Sequence, residues 1–494
     1  MEHKTAQVKS NAIASPEAFQ DDMKWVEPKH GEIIIATVGG VGQIGMNMTL
    51  YGTEGRYVIV DAGVGFTQQD VRDKTGVAGH IVDISSLDEI IDKIDGLILT
   101  HAHEDHVGGV VEVLNHIDLP VYATPLGINI LERKIKESNL DYSPELIQFN
   151  PGDSFRVGNL NIETGSMSHS IPECAALFVS ADGVDKGVFH TADYNMDPNP
   201  STGYIDRNFL KRLGDEDRVA VVVGDSTNVM REEGGSEADV AKGIKAIMES
   251  EKGGIFFVCF ASNIGRMATI AQQALEGGRQ VAVMGRSMKN FAAAGRELGY
   301  LDGIPEFIDA QDLDNLPQNE RVGILTGTQG EPQAALARML NKGGTKSGHD
   351  TRFPKVTHGD VIVVSGRTID GNQKQVREIL DGYRRIGINV IEASDSSNGY
   401  PIHVSGHASK AEINELYDLI KPDIIVPVHG EDRHMVAHAE LAMDRKAGFL
   451  LPTPGSILRL DNDGLEHVGH IKPVIKDIME HGYKNKPKAP APGM

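Results

Sequence analysis

Apolar and polar positions alternate along the first third of the chain in short runs closed by glycine: "EIIIATVGG", "MNMTLYG", "RYVIVDAG", "GLILTHAH" and "PVYATP", then "LNIETGS", "AALFVSADG" and "GVFHTADY". Such runs predict β-strands joined by tight turns. From about residue 219 the texture changes. Continuous apolar runs ("VAVVVGD", "GGIFFVCFAS", "QVAVMG", "VGILTGTQG", "DVIVVSG") now alternate with helix-like segments ("EADVAKGIKAIMES", "RMATIAQQALEGG", "QKQVREILDGYRRIG"). Strand–helix alternation with buried β-branched runs predicts a parallel or mixed α/β sheet. A last segment, "KAEINELYDLIKPDIIVPVHGE", reads as a helix, a proline break and one more buried strand. The tail "YKNKPKAPAPGM" has the composition of a disordered segment.

Bulk properties narrow the class. At 494 residues the chain is long enough for several domain-sized units. Two cysteines, Cys174 and Cys259, exclude a disulfide framework and fit a reducing compartment. The first thirty residues carry no apolar secretory core, and no apolar run reaches bilayer length, so a cytoplasmic protein without a membrane partner is expected. The formal charge of −22 argues against a generally basic, nucleic-acid-coating surface. Between Asp225 and Tyr400, however, basic and acidic residues nearly balance, so a locally positive surface remains open there.

The run "GGVGQIG" has the glycine spacing of a dinucleotide-binding turn, with Asp61 about twenty residues on. That fingerprint needs a helix to follow. Here "MNMTLYGTEGRYVIVD" follows, which reads as a hairpin.

The chemistry concentrates in "LILTHAHEDHVGG". His101 and His103 stand two apart where a strand gives way to a loop, so their imidazoles point the same way and can share one ion. Asp105 and His106 fall in the next turn, displaced toward a second ion. A nitrogen- and oxygen-rich set of this kind suits zinc and tolerates manganese. One cluster leaves both ions short of ligands. Asp61 after "RYVIV", His169 in "GSMSHS", Asp193 in "FHTADY" and His429 in "IIVPVHGE" repeat the pattern of a ligand at a strand end.

The motif H-x-H-x-D-H after a buried strand resembles the metallo-β-lactamase superfamily. The later segments "GDSTN", "FASNIGRM", "GRSM", "TGTQGEPQAALARM", "HVSGHAS" and "PVHGEDRHM" are similar to those of the ribonuclease J family, within its β-CASP nuclease branch. The resemblance runs from about residue 33 to about residue 470. It implies a metallo-β-lactamase αββα sandwich with an inserted β-CASP α/β domain. The implied division is an N-terminal extension over 1–30, the metal-binding domain over 31–224 and 401–470, the β-CASP domain over 225–400, and a C-terminal segment and disordered tail over 471–494.

The resemblance also implies a site. His101, His103 and His169 hold one divalent ion; Asp105, His106 and His429 hold the other; Asp193 bridges them. Both ions are expected to be zinc, with manganese or magnesium as alternatives. Asp61 orients a ligand histidine, and Asp225 supports the site from the facing domain. His403, Val404, Ser405, Gly406 and His407 match the family's phosphate-gripping loop, and Ser262, Asn263, Arg286, Ser365 and Arg367 are candidates to line the same cleft. The reaction implied is two-metal hydrolysis of an RNA phosphodiester. Asp105 or Asp193 orients the attacking water and His407 protonates the departing O3′.

The expected substrate is 5′-monophosphorylated single-stranded RNA, degraded 5′ to 3′ with endonuclease activity besides, in rRNA processing and mRNA decay. The rival readings are a β-CASP DNA nuclease and a small-molecule hydrolase of the same superfamily. The expected partners are RNA, a second or fourth copy of the chain, and RNA-decay proteins. Three features depart from the family pattern: Gln43 where glutamate is usual, "SGRTIDGNQ" where a Pro-Gly-Asn-Glu run is usual, and little sequence after "GSILRLDNDG" where a further domain usually follows. These departures put the RNA path and the oligomeric state in question and leave the metal ligands intact.

Overall fold

The computed structural model of the protein describes residues 5–9, 13, 17, 24–341, 353–369, 371–393 and 401–479. Among these residues, nine strands form one sheet, in the spatial order Gln7–Val8, Gly464–His470, Ser456–Asp461, Ile33–Gly39, Met48–Thr53, Arg56–Val60, Ile94–Ile98, Val121–Ala123 and Leu146–Gln148. Seven form a second sheet, in the order Ser154–Val157, Leu160–Met167, Cys174–Ala181, Gly187–His190, Val219–Asp225, Ile424–Val428 and Gly448–Phe449.

Strand periodicity explains how the two sheets meet. Ile33 and Ile35 face inward and pack with Leu177, Val179, Val221 and Val223 of the facing sheet. Ile34 and Ala36, on the opposite side of the same strand, pack with Val110, Val111 and Leu114 of the helix Val110–Leu114. The outer face of the seven-stranded sheet is covered in the same way by Arg207–Asp215, Lys410–Ile420 and Asp432–Asp444. The result is the helix–sheet–sheet–helix sandwich that the motifs implied. The hairpin reading of "MNMTLYGTEGRYVIVD" holds as well, since Met48–Thr53 pairs antiparallel with Arg56–Val60.

An α/β unit interrupts the second sheet. The chain leaves it at Asp225 and builds a wholly parallel five-stranded sheet, in the order Gln280–Met284, Arg321–Leu325, Ile255–Val258, Val361–Val364 and Asn389–Glu392. It then returns through Lys410–Ile420 to lay Ile424–Val428 beside the strand it left. Both faces of the inserted sheet are buried. One packs on Glu237–Ser250, Ile264–Glu276 and Arg286–Glu297, the other on Ala335–Asn341 and Gln373–Arg385. Double-sided burial is why its strands read as unbroken apolar runs.

Among the elements not anticipated from the sequence are two strands near the ends of the described chain. Ile475–Met479 is a strand, paired antiparallel with Val77–Val82, although its "IKDIM" is half charged and leads into the proposed tail. Partners almost 400 residues away supply its hydrogen bonds, and no local pattern signals them. Gln7–Val8, within the proposed N-terminal extension, adds a strand beside Gly464–His470. The proposed tail from 480 onward lies outside the described residues.

Candidate metal centre

Every ligand candidate sits at or just beyond the end of a strand or at the start of a helix. Asp61 follows Arg56–Val60, His101 lies three residues beyond Ile94–Ile98, Asp193 three beyond Gly187–His190, and His429 one beyond Ile424–Val428. His103 precedes the short helix Glu104–Val107, which carries Asp105 and His106 on its first turns. Asp61, Ala192 and His429 adopt left-handed backbone, with φ of 62°, 52° and 51°. Such conformations in non-glycine residues cost about 1–3 kcal/mol each and persist only where the surroundings enforce them. Here they turn the chain sharply at the strand end and aim the ligands at one point.

Three groups of donor atoms converge, each lying within 4.8 Å: His101, His103, His169 and Asp193; Asp105, His106, Asp193 and His429; and Asp193, Asp225, His407 and His429. Asp193 belongs to all three. Its Oδ2 stands 3.2 Å from His106 Nε2, 3.7 Å from His169 Nε2 and 3.8 Å from His101 Nε2.

The protons can be placed by following each hydrogen bond to an obligate acceptor. His169 Nδ1–H donates to Gly406 O (2.7 Å), so its Nε2 carries a lone pair in the neutral ring. Thr100 Oγ1 donates to Asp61 Oδ2 (2.8 Å), which leaves it to accept from His101 Nδ1–H (3.0 Å); His101 Nε2 is then a lone pair too. Both lone pairs face His103 Nδ1, at 2.9 Å and 3.2 Å. That nitrogen brings at most one proton, so one lone pair is left without a partner. Asp193 Oδ1, buried, likewise accepts no hydrogen bond. His106 Nδ1–H donates to Asp61 Oδ2 (2.7 Å) and turns Nε2 toward Asp193 and Asp105. His429 holds Nδ1 against Thr227 Oγ1 (2.9 Å) and Asp225 Oδ1 (3.3 Å), with Nε2 3.2 Å from Asp105 Oδ2. Rings held from behind by oxygen acceptors, with their inner nitrogens facing one another and carboxylates, are the arrangement a divalent cation requires. The residues fit the ion.

Electrostatics divides the histidines. Burial, reinforced by neighbouring imidazoles, holds His101 well below the usual histidine range and brings His103 to about 3. Burial likewise brings His169 down to about 4. At His429 burial also opposes the charge, but Asp193, Asp105 and Asp225 outweigh it and lift the group to about 10. His106 is raised in the same way, against burial, by Asp193, Asp61 and Asp105.

The phosphate-loop candidates separate. Gly406 gives its carbonyl to His169 and has no room for a side chain, because a Cβ there would lie 2.7 Å from the His169 ring. Ser405 Oγ accepts from Asn228 Nδ2 (2.7 Å), and Ser405 O accepts from Asn195 Nδ2 (3.1 Å). His407 Nδ1–H donates to Asp225 Oδ2 (2.8 Å). Arg367 Nη1 donates to Asn228 Oδ1 (3.2 Å), which brings it beside that loop. His403 has a buried Nδ1 without a partner and is pushed down to about 3, by burial first and then by Arg266, Arg231 and Arg367. Val404 packs on the core of the inserted unit.

Others are placed differently from the expectation that they line the cleft. Ser365, at the end of Val361–Val364, is turned inward, where its hydroxyl donates to Ile402 O (2.6 Å). Asn263 caps Ile264–Glu276 by accepting from Arg266 N (2.8 Å), and Ser262 precedes that cap, partly exposed. Arg286 is an exposed residue at the start of its helix, in an ion pair with Glu137 (2.6 Å).

Sequence reasoning missed the groups that hold the ligands in place: Thr100, Asn195, Thr227, Asn228, and Asn47, whose Nδ2 donates to Asp105 O (3.1 Å). Thr100 abuts the histidine motif and Thr227 and Asn228 complete "GDSTN", so adjacency to a motif was the available signal. Asn195 likewise directly follows "FHTADY", whereas Asn47 had no such signal.

Comparison with known proteins adds three family matches: "Metallo-beta-lactamase superfamily" over residues 41–172, "Ribonuclease J, beta-CASP domain" over 252–383, and "Zn-dependent metallo-hydrolase RNA specificity domain" over 400–450. The chain is 36% identical over 419 residues to Ribonuclease J of Sinorhizobium meliloti, covering 83% of this chain and 71% of that protein. It is 34% identical over 462 residues to Ribonuclease J 1 of Streptococcus pyogenes, covering 92% and 79%. A solved structure of a protein of unknown function from Enterococcus faecalis shares the fold, with a TM-score of 0.60 at 16% identity over 87% of this chain and 100% of that one.

Proposed function

The chain belongs to the ribonuclease J family, and from that membership we propose that it is a metal-dependent ribonuclease, a hydrolase of RNA phosphodiester bonds. Two divalent ions, zinc in the first instance with manganese or magnesium as substitutes, would be held by His101, His103 and His169 on one side and by Asp105, His106 and His429 on the other, with Asp193 available to both. When bound, the ions supply Lewis-acid activation of water and stabilisation of the negative charge that gathers on phosphorus.

The protein's own residues do the rest. Asp105 or Asp193 orients the attacking water. Asp225 takes the Nδ1–H of His407, which leaves Nε2 as the ring nitrogen able to exchange a proton with a substrate. Burial disfavours charge on His407, but Asp225 and Asp193 raise its proton affinity above the usual range, as a general acid requires. His407 then delivers the proton to the departing O3′ and a 5′-phosphate remains on the downstream fragment. The loop 403–407 and Arg367 grip the backbone phosphate, supported by Asn195 and Asn228.

The observation that carries this reading is the convergence of six ligand side chains, from three strand ends and one helix, on Asp193 at a fourth strand end, beside a histidine already paired to a carboxylate. In the same reading, 31–224 with 401–470 is the metal-binding domain and 225–400 the inserted domain. The substrate is single-stranded RNA with a 5′-monophosphate, cleaved 5′ to 3′ and internally, in the cytoplasm, by a homodimer or homotetramer. Among the described residues no helix is long and apolar enough to cross a membrane.

End-labelled RNAs bearing a 5′-monophosphate or a 5′-triphosphate, and a DNA of the same sequence, are incubated with and without chelator. The monophosphorylated RNA is expected to disappear fastest, and only without chelator. Equal rates for the two RNAs remove the 5′-phosphate specificity; preference for DNA replaces the substrate.

A further inference from the structure

Arg266 is a charged side chain with no solvent exposure, the largest fully buried side chain among the described residues. A guanidinium is tolerated there only if its donors are satisfied and its charge is matched. Both conditions are met. Nε and Nη2 donate to the two carboxylate oxygens of Glu237, at 3.0 Å and 2.6 Å. Nη1 donates to Ser365 Oγ, Ser365 O (3.3 Å) and Ile402 O (3.2 Å).

The partners come from three distant segments, and each leads toward the metal centre. Ile402 is the residue before His403 and the loop that ends at His407. Glu237 N donates to Asp197 Oδ2 (2.7 Å), four residues beyond Asp193. Asp197 N in turn donates to Asn195 Oδ1 (3.2 Å), and Asn195 holds Ser405 O from the other side. A closed circuit of hydrogen bonds therefore runs from the Asp193 segment through Glu237 and Arg266 to the start of the phosphate loop. It returns to the Asp193 segment through Asn195.

We propose that Arg266 is a positioning residue that fixes the start of the loop 403–407 against the segment carrying Asp193, and thereby sets the grip on RNA. The inference rests on the ribonuclease reading above. Lysine cannot replace the fork. One ammonium on a flexible stem reaches Glu237 or the Ser365 and Ile402 carbonyls, but does not span them in one plane. Loss of the span loosens the start of the loop at Ile402 and His403, while Asn195, Asn228 and Asp225 still hold Ser405 to His407, and with them the Gly406 carbonyl that orients the ligand His169.

The test compares wild type, Arg266→Lys and Glu237→Gln as full-length, metal-loaded protein. Each is assayed on 5′-monophosphorylated RNA and on bis(p-nitrophenyl) phosphate, a small diester with no chain for the loop to hold. Metal content and thermal unfolding are measured alongside. Arg266→Lys is expected to raise KM for RNA about tenfold, the effect of one lost buried hydrogen bond. Its turnover of the small diester and its metal content should stay near wild type. Glu237→Gln, which keeps the shape and loses the charge, is expected to shift KM in the same direction by less, and serves alone if Arg266→Lys does not fold.

An unchanged KM for RNA in the folded variants overturns the proposal, as does a proportional loss on both substrates, which marks general destabilisation. Wild-type protein that leaves RNA intact refutes the ribonuclease reading instead, so the two failures are distinct.

Discussion

In the proposed metal centre the two groups of ligands share Asp193 and differ in the charge that surrounds them. On one side three imidazoles stand close together, relieved of their protons by burial, with His103 at about 3 and His169 at about 4. On the other, two imidazoles lie among carboxylates that hold protons on them, with His429 at about 10. The first half is ready to ligate before any ion arrives. The second is an ion-paired cluster that must release protons to ligate. Nitrogen-rich donors favour zinc, whereas the oxygen-containing half tolerates harder ions. The expected consequence is sequential loading, the histidine half filling first and emptying last.

Substitutions test that asymmetry. Asp193→Asn strikes both halves at once and is expected to lower RNA cleavage by at least about 10⁴-fold, because several kcal/mol of charge stabilisation depend on each ion; single-turnover kinetics with metal analysis read the loss. His407→Ala removes none of the ligands assigned to either half and is expected to cost about a hundredfold in kcat, the low end for a general acid, with both ions retained. If its turnover stays near wild type, the acid is another group.

Asp61→Asn weakens the hold on His106 directly and on His101 only through Thr100, so it is expected to lower affinity for the second ion about tenfold or somewhat more and for the first by less, as read by competition with a coloured chelator. Loss of both ions together would erase the distinction between the halves.

The smallest effect is in pH. Since His429 is lifted to about 10 and His106 is raised above the usual histidine range, protons compete with the second ion for its ligands and acid works against it. Its affinity is expected to fall about tenfold per pH unit for each proton displaced, while the first ion, bound by imidazoles already neutral, changes little between pH 8 and 6. Parallel pH slopes for the two ions would contradict the division.

How much of this was legible in the sequence follows from where each interaction is local. "HAHEDH" compresses four ligand candidates into six positions, and Asp61 and His429 each end an apolar run, so strand periodicity marked them; His169 and Asp193 lie in the more polar "GSMSHS" and "FHTADY" and were marked by their place after a strand. The inserted sheet was legible for the same reason, its strands being apolar on both faces. The groups that fix the site were not. Arg266 and Glu237 are 29 residues apart, and Arg266 reaches Ile402 across 136, so neither carries a motif that marks burial. The left-handed backbone at Ala192 and His429 was equally hidden, because sequence suggests glycine where φ is positive. Ser365 shows the converse: a serine beside a strand end looked available, but its hydroxyl faces inward to Ile402.

The most direct test is elemental analysis of purified protein, with RNA cleavage followed on the same sample as chelator removes the ions stepwise. Two divalent ions per chain are expected, lost in two stages, with cleavage falling as the first of them leaves and returning on addition of zinc or manganese. Undiminished cleavage by protein shown to be free of divalent ions would contradict the account.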